Sequence, residues 1–181
     1  GRLEKTNEAY SIAKITGIKM CEFYSKQYKV NYKSVMPCNV FGPNDNYDLS
    51  SSHFIPALIK KIHLSKTKNL NYINVWGSGR PKREVIFSEE LAEACIFILK
   101  NKTRKTLINI GTDIEFSINQ YAKAIMRIIG HKVKIKNNLK YPDGVKRKKL
   151  DTTILNELGW KSKLSFDQAL KKTYSSYIKG K

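Results

Sequence analysis

Segments with the pattern of β-strands alternate with helix-like segments along most of this chain, and no other feature constrains its fold as strongly. The strand-like segments are 32–36, 71–76, 84–87, 106–110 and 132–136. The helix-like segments are about 7–27, 51–62, 88–100, 117–130, 151–158 and 165–179. Strands alternating with helices predict an α/β protein. In open α/β sheets the site lies beyond the carboxyl ends of the strands, so the loops after Met36 and Trp76 are candidate positions.

The helix starts carry residues that cap helices through their side-chain oxygens. Thr6 is the predicted N-cap of the first helix, and Ser51 with Ser52 that of the second. Ser88 opens the third helix with two acidic residues behind it, and Ser117 caps a helix that ends at Gly130. By contrast, residues 37–43 and 77–81 are rich in glycine and proline, so both are predicted to be turns or loops.

Composition limits the functional classes. The chain has 181 residues, of which 41% are hydrophobic and 27% charged, which is typical of one globular domain or one and a half. No apolar run is long enough to span a membrane, and the first residues do not form a signal peptide. Cys21, Cys38 and Cys95 are scattered and lack metal-ligand spacing, so we expect small buried hydrophobes, no metal site and a cytoplasmic location.

The net charge of +19 raises the question of nucleic acid. Lysines are spread along the whole chain, and no segment resembles a known nucleic-acid-binding motif. We therefore expect a weak attraction to polyanions but no specific nucleic-acid partner. The run 146–149 is either a solvated face or a contact for a phosphorylated small molecule.

Tyr10 and Lys14 form the candidate catalytic pair. Four residues apart on a helix, they share one face. A lysine ammonium near a tyrosine hydroxyl favours the phenolate, and such a phenol can exchange a proton with a carbonyl or alcohol oxygen. The spacing alone is common, and a solvated helix face is the alternative. Small residues recur every four positions on the same helix, at Ala9, Ala13, Gly17 and Cys21, which predicts close approach of another helix, either inside the domain or across a dimer.

A dinucleotide-binding enzyme needs a glycine-rich turn between its first strand and helix. None of the ten glycines of this chain falls in such a frame, and Gly77 with Gly79 leads into another strand. We therefore expect these residues to be the latter part of a longer enzyme, and the 181 residues alone not to bind NADPH.

Six segments together resemble the GDP-L-fucose synthases, a family of extended short-chain dehydrogenases/reductases that act on nucleotide sugars. The likeness covers essentially the whole chain. The segments are NEAYSIAKITGIKMCEFYSKQY, SVMPCNVFGPNDNY, SSHFIPALIKKIH, VWGSGRPKRE, YPDGVKRKKLD and ILNELGW. The resemblance implies a Rossmann-like NAD(P)-binding fold, of which this chain carries the latter part, plus a smaller α/β substrate-binding domain. The implied boundaries are 1–50 for the Rossmann-like part and 51–181 for the substrate part, with about 84–110 returning to the Rossmann-like sheet.

The implied reaction converts GDP-4-keto-6-deoxy-D-mannose to GDP-L-fucose by epimerisation at C3 and C5 and reduction of C4 by NADPH. Tyr10 matches the general acid, Lys14 the lysine on the nicotinamide ribose, and His53 an acid in epimerisation that lies near the cofactor. The positions matching the nicotinamide loop are Pro37, Cys38, Asn39 and Val40. Those matching contacts to the GDP-sugar are Lys61, Trp76, Arg83 and Asp143. The family is typically dimeric, so a homodimer of the full-length protein is implied.

Each of these positions also has a structural interpretation. A tryptophan at a strand end, as at Trp76, is typical of a core residue. An arginine beside a turn, as at Arg83, is typical of a solvated charge, and Asp143 is typical of a turn residue. Lys61 departs from the family, which usually has arginine there; an ammonium keeps the charge but loses the planar fork. The alternatives to a GDP-L-fucose synthase are another nucleotide-sugar epimerase or reductase, or a non-catalytic nucleotide-sugar-binding remnant.

Overall fold

The computed structural model describes residues 2–180, with the side chain of Thr6 outside the described part. The helices, after a short 3₁₀ turn at Lys5–Asn7, are α1 Glu8–Tyr28, α2 Phe54–Thr67, α3 Ser88–Lys100, α4 Ile118–Ile129, α5 Thr153–Glu157 and α6 Phe166–Lys179. The strands are β1 Ser34–Pro37, β2 Asn39–Phe41, β3 Tyr72–Trp76, β4 Lys82–Phe87, β5 Leu107–Ile110, β6 Glu115–Ser117, β7 Lys134–Asn138 and β8 Arg147–Lys148. The α/β class predicted from the sequence is confirmed.

Most strand pairs are parallel, as the alternation with helices requires. β1 pairs with β5, β2 with β4, and β3 with β7, all parallel; β4 also pairs antiparallel with β6 and parallel with the short β8. Only Cys38 separates β1 from β2, and its backbone N–H donates to Ile110 O at 2.9 Å. The carboxyl ends of β1 and β5 therefore lie together, and β2 continues the chain directly onto β4.

Two clusters of buried apolar side chains form the core. The first joins α2, α4 and α6 to β2, β3 and β4, with Ile59, Ile62, Ile125 and Leu170 fully shielded from solvent. The second cluster joins the β1–β2 junction, α3, β5 and α5. The boundaries of the two predicted parts of the chain stay a prediction.

Glu84 on β4 connects three segments from the interior. Its side chain is 0% exposed. Oε1 accepts the backbone N–H groups of Thr112 and Asp113 at 2.7 Å each, and Oε2 accepts that of Leu150 at 3.0 Å. The backbone oxygen of Glu84 accepts the Asn39 Nδ2 amide at 2.9 Å. Because an unpaired buried carboxylate is costly, these bonds hold β4 to β2, to the loop after β5 and to the segment after β8.

The helix starts differ from the prediction in three places. α1 follows Asn7 rather than Thr6, and α2 has His53 at its N-cap with no side-chain cap bond. Ser51 and Ser52 instead donate their backbone N–H groups to Asp48 O. α3 begins at Ser88, so Phe87 is its N-cap. Ser117 is confirmed, because it forms a reciprocal capping box with Gln120.

Three short strands were not predicted from the sequence, and one of them lies in the segment 37–43, which was predicted to be a turn or loop. They are β2, β6 and β8. Each has three residues or fewer, and a run that short carries no usable alternation of polar and apolar positions.

Helix α1 lies outside both clusters. Among its described residues 8–28, none is buried, and Ile12, Ile15 and Phe23 are 52%, 46% and 59% exposed. Within the described residues, nothing approaches a Cβ built at Gly17 within 4 Å. The described residues leave the small-residue stripe uncovered, so both alternatives for it, a helix packed inside the domain or a helix of another subunit, stay predictions. No helix in the described part of the chain has both the length and the apolar character of a membrane span.

Candidate active site

Tyr10 and Lys14 lie one turn apart on the open surface of α1. Lys14 Nζ is 5.3 Å from the centroid of the Tyr10 ring, and 59% of Tyr10 is exposed. The two side chains therefore share one face, as their spacing predicts, and the ammonium lies against the ring. The phenol is open to a ligand, whereas its part in proton transfer stays a prediction.

The predicted nicotinamide loop lies at the junction of β1 and β2. Pro37 ends β1 beside Ile110, while Asn39 and Val40 pair with Val85 and Ile86 of β4. Cys38 is buried, and burial, together with the nearby Glu84 carboxylate, raises the pKa of its thiol to about 12. The Cys38 thiol is therefore uncharged near neutrality, which argues against a nucleophile there.

The turn after β2 is shaped by Gly42. A Cβ built at this position would lie 2.1 Å from Oγ of Ser88, the first residue of α3. Only glycine lets the loop pass this close to the helix start. The loop after β2 is thereby held against the start of α3, at the carboxyl ends of the parallel strands β2 and β4, the position at which α/β folds bind ligands.

His53 is exposed at the N-cap of α2, with φ −67° and ψ 167°. Its backbone oxygen accepts the first helical bond, from Ala57 N at 3.0 Å. The position of His53 is therefore set by the helix backbone, and its imidazole is accessible to a ligand.

Lys61 and Trp76 meet at the end of β3. Lys61 Nζ lies 5.2 Å from the centroid of the Trp76 ring and donates to Asn74 O at 3.0 Å. Desolvation lowers the pKa of Lys61. Trp76 is 51% exposed, so its interpretation as a core residue is wrong. The alternation along β3 explains the exposure: Ile73 and Val75 point into the core, and Trp76 points away from it.

Arg83 and Asp143 face each other across the turn after β3. Arg83 Nη1 donates to Lys82 O at 2.8 Å and to Val145 O at 2.7 Å. Burial lowers the pKa of Arg83, and the neighbouring Asp143 opposes that shift. Asp143 accepts two bonds from Ser78, from its backbone N–H to Oδ1 at 2.6 Å and from its hydroxyl to Oδ2 at 2.7 Å. These bonds lower the pKa of Asp143 and leave carboxylate lone pairs for a ligand hydroxyl.

Two further residues join this cluster that the sequence analysis did not single out. Tyr141 stacks on Trp76 with ring centroids 4.3 Å apart and an interplanar angle of 10°. Ser78 holds Asp143, which lies 65 positions away in sequence. The sequence signal for both was weak: they are a tyrosine and a serine in turns next to positions already singled out.

The residues present fit one end of a nicotinamide cofactor. An exposed Tyr10 hydroxyl and Lys14 ammonium offer donors for a ribose, and residues 37–40 lie at the junction of β1 and β2. Asn39 is committed to Glu84 O through its side chain, so its contact with a cofactor would come from its backbone. The roles of Pro37, Cys38, Asn39 and Val40 stay predictions.

Parallel strands with candidate binding residues at their carboxyl ends are typical of nucleotide-binding α/β folds. A sequence profile of the NAD dependent epimerase/dehydratase family matches residues 1–111, and the chain belongs to that family.

Among its relatives, the GDP-L-fucose synthase of Sinorhizobium fredii is 45% identical over 98% of this chain, and that of Escherichia coli is 41% identical over 98%. The chain spans 57% and 58% of the lengths of these two proteins. A GDP-mannoheptose C4 reductase from Campylobacter jejuni, solved with NADP bound, superposes with a TM-score of 0.84 and 29% identity over 98% of this chain and 62% of its own.

Proposed function

We propose that this protein takes part in the NADPH-dependent conversion of GDP-4-keto-6-deoxy-D-mannose to GDP-L-fucose, as part of a longer enzyme. The relatives are GDP-L-fucose synthases and a GDP-sugar C4 reductase with NADP bound. The bound cofactor would supply the hydride that reduces the C4 carbonyl.

The observation that carries this proposal is the clustering of Lys61, Trp76, Arg83 and Asp143. They come from α2, β3, β4 and the loop after β7, yet contacts between them or with shared neighbours bring them together. The set contains an aromatic surface, two cations and a carboxylate. That combination suits a base, a diphosphate and a ribose hydroxyl respectively.

In the reduction, Tyr10 donates its phenolic proton to the C4 oxygen as the hydride arrives. Lys14 favours the resulting phenolate and holds the ribose. The accessible positions of both side chains on α1 support these roles.

In the epimerisation, a base that the longer enzyme supplies outside these residues takes a proton from C3 or C5, next to the C4 carbonyl, and a proton is then delivered to the opposite face of the same carbon. His53 donates the returning proton in this proposal. Its exposed position at the N-cap of α2 leaves the imidazole free to reach a sugar. The alternative is a C4 reductase that does not epimerise; the Campylobacter relative is named a C4 reductase.

The test of the reduction is Tyr10→Phe in the full-length protein. We expect NADPH oxidation with the 4-keto sugar to fall by at least about 100-fold, with GDP affinity nearly unchanged. Tyr28→Phe is the matched control, because Tyr28 lies on the same helix and is 58% exposed. Retained turnover in Tyr10→Phe would remove Tyr10 from its role, and GDP binding without any turnover in the wild type would favour the non-catalytic remnant.

The test of the epimerisation is His53→Asn assayed in D₂O. We expect slower deuterium incorporation at C3 and C5, with reduction of an already epimerised ketone preserved. A wild-type protein that reduces the ketone without incorporating deuterium is a C4 reductase instead.

We further propose that the full-length protein is a cytoplasmic homodimer. The exposed apolar residues and the small-residue stripe of α1 support association through that helix.

A further inference from the structure

A positively charged surface lies at the amino ends of β1 and β5, the ends opposite to the predicted nicotinamide loop. Two loops lead into these strands, residues 29–33 after α1 and residues 101–106 after α3. β1 and β5 are parallel neighbours, with Ser34 opposite Leu107, so both loops lie at the same edge of the sheet. The backbone N–H of Ser34 donates to Thr106 O at 2.7 Å, which joins the two loops.

Exposed cations without neighbouring carboxylates in the sequence belong to these loops and to the helix turns next to them. They are Lys26, Lys29, Lys100, Lys102, Arg104 and Lys105, which together we call the cationic edge. No aspartate or glutamate occurs in residues 23–44 or 94–112. Within residues 2–180, which the structure describes, Lys26 alone of the cationic edge pairs with a carboxylate, that of Glu22 on the same helix at 3.0 Å. The positive charge of this surface is therefore largely unopposed.

A further cation in the same place, Lys33, has a structural role instead. Its Nζ donates to Ile98 O at 3.3 Å and to Asn101 O at 3.1 Å, at the carboxyl end of α3. A lysine in this position stabilises the unpaired carbonyl groups of a helix end. Because Lys33 already provides that stabilisation, the end of α3 does not account for the exposed charges of the cationic edge.

Exposed tyrosine rings lie next to these cations along the chain. Tyr28 is the last residue of α1 and is 58% exposed, and Tyr32 in the following loop is 50% exposed. The backbone N–H of Tyr32 donates to Ser25 Oγ at 3.2 Å, which ties the loop to α1. Cations interspersed with exposed rings suit a strand that has regularly spaced phosphates and bases that are free to stack.

We propose that the cationic edge, together with Tyr28 and Tyr32, binds single-stranded nucleic acid without sequence preference. A single strand fits better than a duplex, because the bases of a duplex are stacked inside the double helix and cannot stack on the tyrosine rings. An acidic peptide or an anionic membrane would use the charges but would give the rings no bases to stack on. The proposal goes beyond the proposed function and does not depend on it, since these residues lie at the opposite end of β1 from the predicted nicotinamide loop.

The experiment is a fluorescence anisotropy titration, in which the full-length protein is added to a labelled oligouridylate of about 20 nucleotides at several salt concentrations. The test variant combines Lys102→Ala, Arg104→Ala and Lys105→Ala. We expect its affinity at low salt to fall at least about 10-fold. The slope of log K against log salt should become shallower by about 2, because each phosphate contact to a single strand contributes about 0.7 to that slope.

The matched control removes the same number of positive charges from other elements. It changes exposed lysines at the C-cap of α2, on α4 and on α6, as Lys68→Ala, Lys123→Ala and Lys171→Ala. We expect the control to lose less than about 3-fold in affinity, because these lysines contribute only to the general charge of the protein. The melting temperature of both triple variants should stay near that of the wild type, which separates lost binding from lost folding.

A second measurement separates stacking from charge. Tyr32→Ala removes a ring and no charge, so we expect affinity to fall roughly 5-fold or more while the salt slope stays unchanged. Tyr32→Phe keeps the ring and should keep the affinity. Tyr72→Ala is the control for this change, because Tyr72 is 42% exposed on β3, with Lys136 Nζ 3.5 Å from its ring centroid.

Five other outcomes would overturn this proposal and leave the proposed function standing. A full-length protein that does not bind the oligonucleotide has no such surface, and equal losses in the two triple variants would mean that the attraction is spread over the whole molecule. Displacement of the oligonucleotide by GDP would locate the strand at the nucleotide-sugar site. Unchanged binding in Tyr32→Ala, or equally tight binding of a duplex of the same length, would show that base stacking plays no part. Phosphatidylserine vesicles that bind through the same three cations more tightly than the oligonucleotide does would make a membrane the partner instead.

Discussion

Lys61 holds its ammonium between a backbone carbonyl and an aromatic ring. Nζ donates to Asn74 O at 3.0 Å and lies 5.2 Å from the Trp76 ring centroid. Desolvation lowers its pKa from the ordinary value of 10.5, because the half-buried ammonium has lost part of its hydration. The Lys61 ammonium lies beside an exposed ring and has further N–H groups with which to donate hydrogen bonds. It can therefore bind a diphosphate, whose negative charge compensates for the lost hydration.

The first residue-scale prediction is a pH dependence of GDP binding. In the proposed site the protonated form of Lys61 binds the diphosphate, so GDP affinity is full below the lowered pKa of Lys61 and falls as the pH rises through that pKa. We expect the GDP affinity to begin to fall at a lower pH than it would for a lysine with the ordinary pKa of 10.5. Lys61→Arg stays charged over this range and should show a flatter profile. Ionisation of guanine affects both proteins equally, so identical profiles would contradict a role for Lys61 in binding.

The limits of sequence reasoning are clear at this scale. Resemblance led to Lys61, Trp76, Arg83 and Asp143, and the structure brings all four together. Tyr141 escaped notice because its partner, Trp76, is distant in sequence and its stacking depends on the path of a loop. A tyrosine in a turn next to a proline carries no periodic signal that would predict such a contact.

At the scale of elements, Glu84 determines how β4 sits among its neighbours. Its three backbone bonds reach the loop after β5 and the segment after β8, and it precedes the β4 residues that pair with β2. Arg83 is the adjacent residue of the strand. The placement of this candidate binding residue therefore depends on a buried carboxylate that itself has no access to ligand.

We predict that Glu84→Gln destabilises the fold by about 1–3 kcal/mol, because an amide has only one oxygen and its NH₂ group must face at least one backbone N–H. Urea unfolding at neutral pH measures the change. The matched control is Glu89→Gln, since Glu89 forms a surface pair with Lys172 in which the side chains are 58% and 54% exposed. That change should stay within about 0.5 kcal/mol. A Glu84 variant as stable as the control would show that the three bonds contribute little.

Long elements were predictable and short ones were not. The helices and the strands β1, β3, β4, β5 and β7 follow from apolar periodicity and from signals such as Ser117 and Gly130. The pairing of β6 and β8 with β4 is a tertiary property, because Glu115–Ser117 and Arg147–Lys148 extend only where β4 offers a free edge. The backbone hydrogen bonds that Glu84 accepts could not be predicted from the sequence either, because Glu84 is one of 15 acidic residues there.

For the whole molecule, α1 is the element that this chain leaves uncovered. Gly17 has open space around it within the described residues, so a side chain added there meets nothing of its own chain. We predict that Gly17→Leu keeps or raises the melting temperature, since glycine costs about 0.5–1 kcal/mol in a helix interior. In the full-length protein the same change should weaken the homodimer, because a leucine prevents close approach of a second helix.

Sedimentation velocity over a range of concentrations measures the dimer. The control is a change on α1 away from the stripe, Lys19→Arg, which keeps the charge that pairs with Glu22. This control also leaves Lys14 unchanged, which the proposed activity requires. A dimer that is equally stable in Gly17→Leu would place the subunit contact elsewhere.

The last prediction separates the two halves of the proposed reaction. The residues proposed to hold the GDP-sugar all lie within this chain and are fixed by its own core, at Lys61, Trp76, Arg83 and Asp143. A pyrophosphate cradle for the cofactor requires a glycine-rich turn, and none of the ten glycines of the sequence is in that frame. Calorimetry on the 181-residue chain should therefore detect GDP binding and no NADPH binding.

Arg83→Ala should reduce the GDP affinity roughly 10-fold or more, because it removes the charged donor that is proposed to bind the diphosphate. Tight NADPH binding by these 181 residues would contradict the proposal that they hold the GDP-sugar but not the cofactor's pyrophosphate. Such binding would require a phosphate site built from other backbone N–H groups of this chain. GDP binding that survives Arg83→Ala unchanged would move the diphosphate away from the β3–β4 turn. The combined result, a nucleotide-sugar site that works without its cofactor, would mean that substrate affinity resides in these residues and that hydride transfer depends on residues outside them.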